Sequence, residues 1–226
     1  MKILALDTAT EACSVALSYG TARIERYEEL VRGHAEKLLP MIDELLTEAG
    51  ITLRSLDAIA FGRGPGAFTG VRLAASVAQG LAFGAGVGVV PVSDLAAVAQ
   101  YAATLPRNGW ARVLAVNDAR MREVYWGEFK LGDIAEAAGV EHVSAGSDVM
   151  LPVSDQPWVA VGRGLRAAPE LAERCRVAGA TVYPDVLPRA GEILTLAQPV
   201  AAAGQLLPAE RALPVYVRDK VVAAAS

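Results

Sequence analysis

Apolar runs without polar alternation punctuate this chain. Ile3–Asp7 and Asp57–Phe61 read as strands covered on both faces, because a half-exposed strand would alternate apolar and polar positions. Cys13–Leu17 and Ala22–Glu28 read as two more strands of a meander that turns at Tyr19-Gly20. The period then changes. Leu38, Leu39, Ile42, Leu45 and Leu46 recur at helical spacing and predict a helix over His34–Ala49, stopped by Gly50. After the Asp57–Phe61 strand come a helix over Val71–Phe83, a strand over Val87–Val90 and a helix over Asp94–Ala103 with Ser93 as N-cap. The order is βββαβαβα.

The remainder repeats this order loosely. Strands are predicted at Val113–Asn117, Glu123–Phe129, Val140–Val143, Trp158–Val161 and Thr181–Tyr183, and helices at Ala167–Val177 and Ala190–Ala203. An extended tail, held by Pro214, follows over Leu213–Val222. Two local matches recur in the same order: the Ile3–Ala9 run in Val113–Ala119, and Ala58–Gly64 in Trp158–Gly164, each of the latter ending Gly-Arg-Gly. This predicts two ribonuclease H-like halves, residues 1–104 and 110–226, joined by Leu105–Gly109. A repeated βββαβαβα unit is the ground plan of the α/β actin-like ATPase fold (the ASKHA, or sugar-kinase and Hsp70-like, superfamily), which argues fold and not function.

Composition narrows the function classes. The 226 residues are 53% hydrophobic, much of it alanine, and carry a net charge of −4. A chain with that charge grips nucleic acid poorly by itself, since phosphate neutralisation dominates such affinity. Cys13 and Cys175 are isolated and form no CxxC, which argues against a disulfide framework or zinc ribbon and for a reduced, cytoplasmic setting. Asp7 interrupts the apolar opening, so no signal peptide is read there, and the glycines between Leu73 and Val92 break any membrane span.

Three segments could carry chemistry. Phe61–Arg72 holds four glycines and a proline ahead of a helix, and suits either a phosphate cradle or a backbone corner. It lacks the lysine and hydroxyl of a Walker A loop. Asp7, Thr8, Thr10 and Gly64 are the candidate cofactor-binding residues, with hairpin capping as the alternative role for the first three. His34 is one of two histidines, and the helical position four later is Leu38, so no metal site is expected. Asn117–Trp126 reads as a charged hairpin or as an arginine-bearing turn at a cleft or partner surface.

The combination Leu-Asp-Thr-Ala-Thr at 6–10, His-Ala-Glu-Lys-Leu-Leu-Pro at 34–40, Gly-Pro-Gly-Ala-Phe-Thr-Gly-Val-Arg at 64–72 and Asp-Ala-Arg-Met-Arg-Glu-Val-Tyr at 118–125 resembles the bacterial TsaB (YeaZ) family. Pro-Val-Tyr-Val-Arg at 214–218 resembles that family's tail, and Ala67 replaces the serine usual in its glycine loop. The resemblance implies a noncatalytic subunit that dimerises with TsaD and, with TsaE in a ternary complex, supports transfer of threonylcarbamoyl to N6 of the adenosine beside the anticodon in tRNAs reading codons that begin with A. It implies a homodimer when alone, contact with tRNA only through the complex, no cofactor required by this chain, and ATP or ADP at the complex junction. The implied partner interface comprises His34, Leu38, Leu39, Ile42, Leu45, Leu46, Arg72, Ala75, Gln79 and Arg120. An active small-molecule kinase and a metallopeptidase are the competing classes.

Overall fold

The computed structural model of the protein describes residues 1–106 and 109–217, so parts of the predicted link and tail lie outside the described residues. The opening segment folds as β1 (Ile3–Asp7), β2 (Ala12–Tyr19) and β3 (Ala22–Glu29), followed by α1 (His34–Ala49), β4 (Ala58–Gly62), α2 (Phe68–Ala85), β5 (Gly88–Val92) and α3 (Asp94–Tyr101). The strands form one sheet in the order β3-β2-β1-β4-β5, with β1 antiparallel to β2 and parallel to β4.

The unalternating β1 run now has its reason. Leu4 and Leu6 face a core shared with Leu38, Leu45, Ala74 and Ala78 of α1 and α2. Ile3 and Ala5 face the opposite side. Both faces are covered, so neither needs polar residues. The edge strand β3 does alternate, and its charged side chains discourage pairing with another sheet edge.

The second sheet is built from β6 (Arg112–Arg120), β7 (Glu123–Leu131), β8 (Ala135–Ala137), β9 (His142–Ala145), β10 (Trp158–Val161) and β11 (Thr181–Tyr183). Its order is β11-β10-β6-β7-β8, with β9 also on β7, the same plan as the first. The repeat is incomplete among the described residues: the counterpart of α1 is a single 3-10 turn, Gly146–Asp148. The helices are α4 (Gly164–Ala167), α5 (Pro169–Val177) and α6 (Ala190–Ala202). The short β8 was absent from the sequence reading, because Ala-Glu-Ala lacks the β-branched and aromatic residues that mark a strand.

The halves exchange their last helices. Ile193, Leu194 and Ala197 of α6 cover Ile3, Ala5, Ala16 and Ala58 of the first sheet. Leu95 and Val98 of α3 pack with Val113, Ala115 and Phe129 of the second. The alanines on the first sheet let α6 approach closely. Two ribonuclease H-like sheets related in this way make the actin-like ATPase fold, and a cleft of about 790 Å3 opens near the ends of β1 and β6.

Candidate functional site

The glycine loop folds down onto the first hairpin. Ala67 N–H donates to the Ala9 carbonyl at 2.7 Å, and Thr8 Oγ1 donates to the Gly70 carbonyl at 2.7 Å. A Cβ on Gly70 would lie 2.0 Å from the Thr8 carbonyl oxygen, so backbone meets backbone there. The loop is therefore a structural corner at the start of α2. Asp7 and Thr8 are buried, and the Gly64 N–H donates to the Asp94 carboxylate; of the four candidate cofactor residues, Thr8 and Thr10 line the cleft. Main chain of the loop meets main chain of the hairpin at Gly66 and Gly70, and the cleft opens beside that contact.

Beneath the corner lies a carboxyl pair. Asp7 ends β1 and Asp94 opens α3, and both are fully buried. A Cβ on Gly62 would lie 2.4 Å from Asp7 Oδ1 and 2.5 Å from Asp94 Oδ1, so the two acids occupy that glycine's side-chain space. Asp7 Oδ1 accepts the Ala9 N–H at 2.9 Å, while Asp7 Oδ2 and Asp94 Oδ1 find no donor from backbone or other side chains. One proton shared between the carboxyls satisfies both. Burial pushes Asp7 up to about 6, and burial together with the adjacent Asp7 charge pushes Asp94 well above the ordinary carboxylate range. Asp94 thus donates and Asp7 accepts. Sequence reading found Asp7 and missed its partner. Asp94 followed an N-cap serine, where an acid looks like ordinary helix capping.

His34 sits at the start of α1 with Nε2 3.0 Å from the Thr10 carbonyl, and Leu38 is fully buried. A helical metal pair would need a ligand at Leu38, which is inside the core. Among the described residues no three His, Cys, Asp or Glu side chains gather as metal ligands. The donor set does not fit a catalytic metal.

The expected partner face is only partly on the surface. Leu38, Ile42, Leu45 and Ala75 are 0 to 3% exposed and pack into the first core. This corrects the expectation for these four: the i, i+4, i+7 stripe of α1 covers the sheet. What α1 and α2 present outward is Leu39, Phe68, Arg72 and Phe83, with Leu46 and Gln79 half-buried beside them. Arg72 stacks over Phe68 at 3.4 Å and its Nε donates to the Tyr216 hydroxyl at 2.7 Å, tying the tail segment to α2.

Arg120 lies at the cleft mouth. The hairpin turn it opens holds Arg120, Met121 and Arg122 in left-handed conformation, φ 63, 53 and 64, which is uncommon for three successive residues other than glycine. Asp118 caps the turn, accepting from the Arg120 N–H at 2.7 Å and its guanidinium at 2.9 Å. Arg120 also reaches Glu11 across the cleft at 2.9 Å.

A protein from Escherichia coli strain K12 described as tRNA threonylcarbamoyladenosine biosynthesis protein TsaB is 40% identical to this chain, over 98% of the chain and 96% of its own length. The chain belongs to the TsaB family. A TsaB from Haemophilus influenzae is 38% identical over 98% of the chain and 95% of its own length. The family profile described as TsaD: tRNA N6-adenosine threonylcarbamoyltransferase matches residues 28–202. The solved structure of YeaZ from Pseudomonas aeruginosa superposes with TM-score 0.85 at 45% identity, covering 95% of this chain and 99% of that one. A second Pseudomonas aeruginosa structure, described as an uncharacterized protein with similarity to peptidase YeaZ, gives 0.88 at 46% identity, covering 96% of this chain and 99% of that one. In this TsaB-family chain, then, the glycine corner is bonded to the first hairpin, and Leu39, Phe68, Arg72 and Phe83 stay exposed on α1 and α2.

Proposed function

We propose that this chain is a noncatalytic subunit in tRNA threonylcarbamoyladenosine biosynthesis, pairing with a TsaD protein and supporting its transfer of threonylcarbamoyl to adenosine N6. The near full-length likeness to proteins named for that pathway carries the reading. Two features of the chain support it. The helix position that would complete a metal site is Leu38, buried in the core. Thr8 and Gly64, placed to meet phosphate, bond within the protein instead.

The partner face is formed by Leu39, Phe68, Arg72, Gln79 and Phe83, with His34, Leu46 and Arg120 at its margins. The same face closes a homodimer when TsaD is absent. TsaE joins the pair as an ATPase, and tRNA is held by the complex, consistent with the chain's net charge of −4. Nucleotide, if needed, sits where the subunits meet.

The test is reconstitution. TsaD, TsaE, threonylcarbamoyl-adenylate and tRNA are combined with and without this chain, and modified adenosine is measured by mass spectrometry. Strong dependence on the chain is expected. Equal modification without it sinks the proposal.

A further inference from the structure

The two Gly-Arg-Gly corners hold their main chain at home and send their side chains away. Arg63 follows β4, and its N–H donates to the Val92 carbonyl at the end of β5 at 2.8 Å. Arg163 follows β10, and its N–H donates to the Val186 carbonyl beyond β11 at 3.0 Å. Each backbone is thus fixed within its own half. The guanidinium groups are not. Arg63 Nη2 meets Glu141, which stands in the second half just before β9, at 3.3 Å. Arg163 Nη2 meets Glu29, at the end of β3 in the first half, at 2.9 Å. Each half therefore gives one arginine to a glutamate of the other. Hydroxyl groups position both acids: Ser93 Oγ, the N-cap of α3, donates to Glu141, and the Tyr27 hydroxyl donates to Glu29 at 2.9 Å.

A fully exposed ion pair contributes little, because water screens it and two long side chains must be held still. These pairs are better sheltered. The Arg63, Glu141 and Arg163 side chains are 24, 15 and 23% exposed, whereas Arg120, which reaches Glu11, is 71% exposed. The two pairs also stand apart. Arg163 lines the main cleft, and Arg63 lines a separate pocket with Pro91 and Arg211. One tether leaves two bodies free to pivot about it; a second, at another place, removes that freedom. The remaining contact between the halves gives less resistance. Helices α3 and α6 pack on each other, and their shared core includes Ala97, Ala190, Ala197 and Ala201. Side chains that short interlock weakly, and helices packed through them can slide in shear. Relative motion is the default for two halves that flank a cleft, unless something prevents it.

We propose that the Arg63–Glu141 and Arg163–Glu29 pairs form a reciprocal lock that holds the cleft at one opening, so that the two halves move as a single body. The lock fixes α1 and α2 relative to the Arg120 turn, whatever partner the chain takes. It stands on this geometry alone and does not depend on the proposed function.

Electron–electron double resonance tests it on the full chain. Nitroxides are placed at Asp43→Cys on α1 and Val177→Cys at the end of α5, exposed positions in opposite halves. Cys13 and Cys175 are buried and do not label. Labelled chain is diluted into unlabelled chain, so that only distances within one molecule are read. A narrow distribution is expected for the native pairs. Arg63→Gln together with Arg163→Gln should widen it at least about twofold, and Glu29→Gln together with Glu141→Gln should do the same. Combining all four substitutions should widen it no further than either double, because both doubles remove the same interactions. The proposal is overturned if the native distribution is already as wide as that of the doubles. It is also overturned if only one double widens the distribution, since the arginines or the glutamates would then act outside the pairs. Widening in the combined variant equal to the sum of the two doubles would overturn it in the same way.

Discussion

At Gly62 two carboxyl groups take the room a side chain would fill, and they titrate as one unit. In the unfolded chain both acids ionise near the ordinary 3.8, whereas burial raises Asp7 to about 6 and Asp94 higher. The folded chain therefore binds more protons than the unfolded chain above pH 4, and this pair's contribution to stability falls as pH rises through 6 and beyond. Asp94→Asn replaces the shared proton with a permanent amide donor. Urea unfolding across pH 5 to 8 should show the stability difference moving in the variant's favour by about 1 to 3 kcal/mol. A flat difference would mean the pair shares no proton. Gly70→Ala tests the other half of the corner: with its Cβ 2.0 Å from the Thr8 carbonyl, it should lower stability by about 2 to 3 kcal/mol in the same assay. At this scale the sequence was readable where a residue announced its own geometry, as the glycines did. Asp94 gave no such sign, since its partner is 87 positions away in the chain (94 − 7) and meets it only through the parallel strands β1, β4 and β5.

Among the elements, α1 shows how a correct helix can carry a misassigned face. Five leucine and isoleucine positions were legible, and so was the N-cap Ser93 of α3, whose Oγ accepts the Ala96 N–H at 3.1 Å. Which part of the apolar stripe met the sheet was not, because helical periodicity does not say how wide the covered arc is. Leu45 is fully buried while Leu39 is 51% exposed. Leu45→Glu should accordingly unfold the chain, at a cost above about 4 kcal/mol for an unpaired charge in the core, seen as lost cooperative melting by circular dichroism. Phe83→Glu, on a residue 83% exposed, should melt within about 0.5 kcal/mol of the wild type yet weaken self-association and TsaD binding in sedimentation velocity. If Phe83→Glu associates as the wild type does, the partner face lies elsewhere.

For the whole molecule, the repeated strand order was visible in the two Gly-Arg-Gly corners and the matching apolar openings. The exchange of α3 and α6 was not, since a linear reading assigns each helix to the half that encodes it. The exchange makes each sheet depend on the other segment. Residues 1–104 expressed alone would leave Ile3, Ala5, Ala16 and Ala58 bare on the face that α6 covers. That fragment should lack a cooperative thermal transition and bind a hydrophobic dye, while adding residues 105–226 as a separate chain should restore the transition. A sharp melt by the fragment alone would show that α6 is dispensable to the first sheet.

The Ala190 N–H bonded to Ser14 Oγ joins positions 176 apart in sequence. During synthesis β1 to β5 emerge long before α6 can reach them, and at about 5 to 20 residues per second the wait is roughly 5 to 20 s. A nascent chain in that interval carries an uncovered apolar sheet, so productive folding is timed by the arrival of residue 190 and its successors at the ribosome exit. Premature termination anywhere in the second sheet would release a product that trigger-type chaperones should retain.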